Sequence, residues 1–159
     1  MHPPRFRIDR CTQTCLGNSL TSSSLESGII IVAKTIVLPA GSPPPLAPYS
    51  PGVVAGGVLY ISGMLALDKE GGTIGKGNVK AQTRAVLESI KAVVNEAGGT
   101  MTDIVFNNIF LKDLGDYKAM NEIYAEYFPS EPPARYCIRA DLVREEFLVE
   151  IASIAHVAR

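Results

Sequence analysis

No apolar run in this sequence approaches the roughly 20 residues that a membrane-spanning helix needs. Neither sign of charge is in excess: 15 Lys and Arg stand against 16 Asp and Glu, a net charge of -1. That balance argues against a broad nucleic-acid footprint, and no basic stripe with interleaved aromatics offers a local one. Cysteine is scarce and odd in number. Cys11 and Cys15 lie near the N-terminus and Cys137 far along the chain, so no disulfide framework is indicated. A reduced, cytoplasmic compartment is expected. Cys11 and Cys15, even with His2 nearby, make no Cys-x-x-Cys pair and have no second pair, so no metal site is expected. The Gly-x-x-x-x-Gly-Lys-Ser/Thr phosphate loop is absent too, which removes one large class of nucleotide binders. What is present is the length of one domain, with 47% hydrophobic residues to build a core.

Residues 1–31 differ from the rest. They mix basic residues with a Ser/Thr-rich stretch and show no helix or strand period, and they are expected to be a disordered extension. A sharper reading places the true start of translation at Val32, so that 32–159 is the whole domain. Lys34 to Leu38 is a strand candidate. Pro39 to Pro51 carries too much proline for a helix or a central strand and reads as an ordered loop ending near Tyr49. Tyr49 either covers a pocket or packs the loop down, and the sequence favours neither. Val53–Ala55 and Val58–Ser62 flank Gly56-Gly57, a hairpin signal, and Ser62-Gly63 is expected to end the second strand. Glycine at 63 permits close approach of something small.

Asn78 caps a helix expected to run to about Ala97 and to stop at Gly98-Gly99. Its apolar stripe is Val79, Val86, Ile90, Val93 and Ala97. Asp103–Lys112 reads as a strand and Asp116–Phe128 as a second amphipathic helix, whose aromatics are assigned to core or subunit contact. Asn121 in that helix either meets solvent or points at a ligand.

The chemistry concentrates at the end of the chain. Pro132 and Pro133 introduce a strand in which Arg135 and Cys137 share one face while Tyr136 and Ile138 share the other. The following strand, from Phe147 to Ala155, is nearly all apolar but holds Glu150 in its middle. An isolated buried carboxylate is costly, which makes Arg135 its expected partner. The order of strands, helix, strand, helix and two strands gives an α+β layer with both helices on one face of a mixed sheet. Ile104–Leu111 and Phe147–Val157 are apolar on both faces, and no spare element is left to cover the second. A further subunit is the expected cover.

Together, Pro133-Ala-Arg-Tyr-Cys-Ile138, Val149-Glu-Ile-Ala-Ser-Ile-Ala155, Tyr60-Ile-Ser-Gly63 and Ala47-Pro-Tyr-Ser-Pro-Gly52 resemble the RidA family of enamine and imine deaminases over residues 33–159. Pro39–Ser42, Ala97–Met101, Asn121–Glu126 and Ile154–His156 bring the chain nearest to that family's aminoacrylate-deaminase subgroup, RutC. The resemblance implies a chorismate-mutase-like fold and a homotrimer with clefts between subunits. It also implies Arg135 as the holder of a substrate carboxylate, assisted by the backbone N–H of Cys137, and Glu150 as the acid that orients water. Tyr49, Ser62, Gly63 and Asn121 take pocket-lining positions. No cofactor, nucleic acid or membrane is implied; the partner is a small carboxylate-bearing enamine or imine. The substrate read this way is 3-aminoacrylate in uracil degradation. Two alternatives are a general 2-aminoacrylate or 2-iminobutanoate deaminase, and a non-catalytic metabolite-binding or RNA-acting protein. Cys137 as a covalent nucleophile lacks a neighbouring histidine. His156 is assigned a structural or exposed role. For Arg135 and Glu150 the competing reading is a buried ion pair with no chemistry.

Overall fold

Short Val- and Ile-rich runs become strands, and the two long stretches of 3.6-residue period become helices. The computed structural model describes residues 33–157; the expectations for residues 1–31 and for a start at Val32 lie outside them. The elements are β1 (Thr35–Val37), β2 (Gly52–Ala55), β3 (Val58–Met64), α1 (Val79–Glu96), β4 (Ile104–Leu111), α2 (Tyr117–Tyr127), β5 (Ala134–Arg139) and β6 (Val149–His156). They form one six-stranded sheet in the order β1-β2-β3-β6-β4-β5. β4 and β5 run parallel, joined through α2, and the other neighbours are antiparallel. The fold is α+β, as expected.

α1 begins where the Asn78 side chain accepts from the Ala81 N–H at 3.1 Å, and it ends before Gly98, whose φ of 79° suits glycine. Its buried stripe is wider than expected. Leu87 and Val94 join Val86, Ile90 and Val93 in the core, and Gln82 and Thr83 are buried with them. The helices pack over a sheet face made by Leu59, Ile61, Ile109, Leu111, Val149 and Ile151. Fully burying each such side chain contributes roughly 1.5–3 kcal/mol.

The expected end of β3 at Ser62-Gly63 is corrected: the strand continues to Met64 through a register shift between Ile61 and Met64. One extra residue bulges on β3 opposite β6, while the Ser62 N–H continues the β2 pairing by donating to the Pro51 carbonyl at 3.0 Å. The outer face of the sheet carries Tyr60, Phe106, Tyr136, Ile138 and Ile154, and Tyr60 and Tyr136 are about half exposed, at 51% and 46%.

Buried Gln82 ties α1 to the chain that leads into β6. Its Nε2 donates to the Glu146 carbonyl at 2.7 Å, and its Oε1 accepts from the Leu148 N–H at 2.7 Å. Replacing it with leucine keeps the bulk but strips partners from two backbone groups. Gln82→Leu is expected to lower unfolding stability by about 2–4 kcal/mol in urea titration. A loss within error of zero would show that the clamp is dispensable.

Candidate active site

Alternation along β6 puts Val149, Ile151 and Ser153 into the helix-side core and Glu150, Ala152 and Ile154 on the outer face. Glu150 therefore leaves the core but stays half-buried, because it lies against the β3 bulge. The bulge needs glycine there: a Cβ on Gly63 would fall 1.9 Å from Glu150 Oε1. Ser62 adds a second fixed point. Its Oγ donates to the Ser50 carbonyl at 2.6 Å and so fastens the end of the proline-rich loop, which carries Tyr49. Tyr49, Ser62, Gly63 and Glu150 line one cleft of about 610 Å³ together with Leu46, Ala47, Leu65, Val143 and Arg144.

Burial raises the Glu150 pKa above the ordinary carboxylate value, since the ionised form loses hydration. The expected contact between Arg135 and Glu150 does not form within the chain, and this is the principal correction. β4 lies between β5 and β6, with Asn107 opposite Arg135 and Phe110 opposite Glu150. The two side chains also stand on opposite faces of the sheet. Strands consecutive in sequence are not neighbours here, because the parallel β4-α2-β5 crossover sets β5 at the edge.

Arg135 turns instead to α2. Its Nη2 donates to Asn121 Oδ1 at 2.6 Å, and Asn121 Nδ2 donates back to the Tyr117 carbonyl at 2.8 Å. The guanidinium carbon lies 4.5 Å from the Tyr124 ring centroid and 6.0 Å from that of Tyr117. Nη1 is buried and has no hydrogen-bond partner among the described residues. A buried cationic N–H without an acceptor is costly, so this nitrogen is suited to an incoming anion.

Cys137 shares the Arg135 face and is half-buried and free. Burial pushes its thiol pKa up against the opposing pull of the Arg135 charge, which disfavours the thiolate a nucleophile needs. His156 is exposed at the end of β6. Among the described residues no group of three or more His, Cys, Asp or Glu could hold a metal ion, and no helix is long and apolar enough to cross a membrane.

The sequence-expected residues thus fall into two groups. Tyr49, Ser62, Gly63 and Glu150 share the cleft, while Arg135, Asn121 and Cys137 gather between β5 and α2. Sequence reasoning missed Tyr124 and Arg144. Tyr124 lies one helical turn after Asn121, a spacing that puts both on one face, but its bulk looked like core. Arg144 sits in an irregular connection with no period to reveal its direction.

Comparison with known proteins agrees on one family. The family model described as Endoribonuclease L-PSP matches residues 40–157. A protein of Acinetobacter baylyi named 3-aminoacrylate deaminase RutC is 53% identical over 124 residues, which span 78% of this chain and 98% of that protein. The structure of RidA from an Antarctic Psychrobacter is 34% identical with a TM-score of 0.71, covering 77% of this chain and 99% of that one. That of Escherichia coli TdcF with bound serine is 29% identical with a TM-score of 0.71, covering 78% and 99%.

The burial of Glu150 generates a pH prediction. Followed by carboxyl carbon NMR, Glu150 is expected to titrate above the ordinary value of about 4.3. A carboxyl with a raised folded-state pKa contributes fully below its unfolded pKa, and that contribution is lost as pH rises through the folded value. A Glu150 pKa at or below the ordinary value would contradict desolvation as the dominant influence.

Proposed function

The chain belongs to the endoribonuclease L-PSP family, the family of the RidA proteins, and from that premise we propose that it hydrolyses 3-aminoacrylate to malonic semialdehyde and ammonia. The observation that carries the activity is the 53% identity to a relative of that name across nearly the whole relative. The reaction belongs to uracil degradation and suits a cytoplasmic protein. It needs no cofactor.

In this reading the site is completed between subunits of a homotrimer. Arg135 and Glu150 cannot meet within one chain, yet the chemistry wants a cation and a base on one small molecule. The apolar outer face supports association, since Tyr60, Tyr136 and Ile138 expose large side chains that a second copy would cover. Arg135, Asn121 and the Cys137 N–H of one subunit then face Tyr49, Ser62, Gly63 and Glu150 of the next.

The substrate carboxylate pairs with the Arg135 guanidinium, and charge-assisted hydrogen bonds of this kind are worth roughly 1.5–3 kcal/mol each. The enamine gains a proton at the carbon next to the carboxylate, which leaves an iminium carbon two bonds from that carboxylate. Glu150 orients a water molecule against this carbon and accepts its proton. The nitrogen of the resulting carbinolamine takes that proton from Glu150 and departs as ammonia, and the hydroxyl loses its proton to solvent as the aldehyde forms, which balances the proton taken up at carbon. A carboxylate whose pKa burial has raised is a stronger base toward water, and such general-base assistance contributes roughly 10²–10⁴-fold.

Two variants test these roles with freshly generated 3-aminoacrylate. Glu150→Gln is expected to keep affinity for a small carboxylate while ammonia release falls by roughly 10²-fold or more, toward the spontaneous rate. Arg135→Lys keeps the charge but loses the planar fork, and its affinity for the same carboxylate is expected to fall while the protein stays folded. Parental ammonia release from a folded Glu150→Gln protein would remove the general-base role. Unchanged carboxylate affinity in Arg135→Lys would remove the anchoring role.

A further inference from the structure

A buried polar chain crosses the core beneath Arg135. Ser153 on β6 donates from Oγ to Asn107 Oδ1 on β4 at 2.5 Å, and Asn107 Nδ2 donates to Tyr124 Oη on α2 at 2.8 Å. Ser153 and Asn107 are 1% and 0% exposed, and Tyr124 is 5% exposed. They lie within the hydrophobic core between sheet and helices. For packing alone, aliphatic side chains of similar volume would serve at these positions without the desolvation of two hydroxyls and an amide. What the chain adds is direction. An amide whose oxygen and nitrogen are both engaged has one orientation, and it ties the Tyr124 hydroxyl to β4 and so holds the long axis of the ring in place. That ring is the one lying 4.5 Å from the Arg135 guanidinium carbon.

We infer that Ser153, Asn107 and Tyr124 are positioning residues that set the tilt of the Arg135 guanidinium and thereby the affinity of the site for a carboxylate. Asn121 holds the guanidinium through one nitrogen, which leaves it free to rock about that bond. The Tyr124 face, 4.5 Å from the guanidinium carbon, removes this freedom and holds the fork in one plane for an anion. Pre-organising a donor in this way lowers the ordering cost of binding. Burial raises the Tyr124 pKa, the Asn107 hydrogen bond and the Arg135 charge opposing it, so the phenol is neutral across the working range. This inference rests on Arg135 as the carboxylate anchor.

The probe is 3-hydroxypropionate, a saturated carboxylate of substrate size, titrated into the intact full-length protein. Tyr124→Phe keeps the ring but cuts it from Asn107, and is expected to weaken binding about 3- to 10-fold. Tyr124→Leu removes the ring and is expected to weaken it about 10- to 30-fold. In turnover the loss is expected in KM, with kcat nearly unchanged. In an Arg135→Lys background Tyr124→Leu is expected to cost no further affinity, because both changes act on one contact. A role in folding alone would lower the melting temperature and leave affinity and KM untouched. Parental affinity in folded Tyr124→Phe overturns the positioning chain, and that variant decides alone if Tyr124→Leu fails to fold. If Arg135→Lys binds the probe weakly while both Tyr124 variants bind it normally, only this inference falls. If Arg135→Lys itself binds normally, the anchor reading falls and takes the inference with it.

Discussion

Strand β6 lies between β3 and β4, and its alternation permits one register. A slip of one residue would drive the Glu150 carboxylate into the helix-side core and turn Val149 and Ile151 outward. An unpaired buried carboxylate costs several kcal/mol, and each misplaced aliphatic side chain forfeits roughly 1.5–3 kcal/mol of burial. Much else depends on that register. It aligns Glu150 with the β3 bulge, where only glycine at 63 leaves room for the carboxyl. It also aligns Ser153 with Asn107, and through Asn107 with the helix that holds Arg135.

The same sheet separates the two charged groups. With β4 between β5 and β6, the chain builds two half-sites on opposite faces: a carboxyl in a cleft under a proline-rich loop, and a guanidinium against an aromatic helix face. Each is incomplete in a consistent way. Burial raises the Glu150 pKa, and Arg135 has a buried nitrogen with no acceptor among the described residues. In the proposed trimer a second copy would cover the exposed Tyr60, Tyr136 and Ile138 and bring Arg135 of one subunit to Glu150 of the next.

Much of this was legible in the sequence. Proline pairs, the Gly56-Gly57 turn, the Asn78 cap and the Gly98-Gly99 stop act locally, and they fixed the elements to within a residue or two. Of the site residues, Glu150 announced itself as a charge in an apolar run, and Gly63 as a glycine at the end of a strand. Strand order was not legible, because a crossover through α2 is a tertiary choice that places β5 beyond β4. For that reason the Arg135–Glu150 contact, inferred from adjacency in sequence, does not form within the chain. Tyr124 and Asn107 escaped notice for a different reason. A buried tyrosine and a lone amide in a strand read as core filler until their partners are seen.

The claim that each active site is shared between subunits is tested most directly by mixing two disabled proteins. Arg135→Lys and Glu150→Gln, each expected to be nearly inactive alone at limiting substrate, are unfolded together in equal amounts and refolded. If every cleft takes its arginine from one subunit and its glutamate from the next, about a quarter of the clefts regain both parental residues, and ammonia release returns to about that fraction of the parental rate. A single chain carrying both changes, refolded with the parent, supplies the reference. No recovery from the mixed single variants, when that reference refolds and works, would show that one chain supplies both groups and would contradict the account.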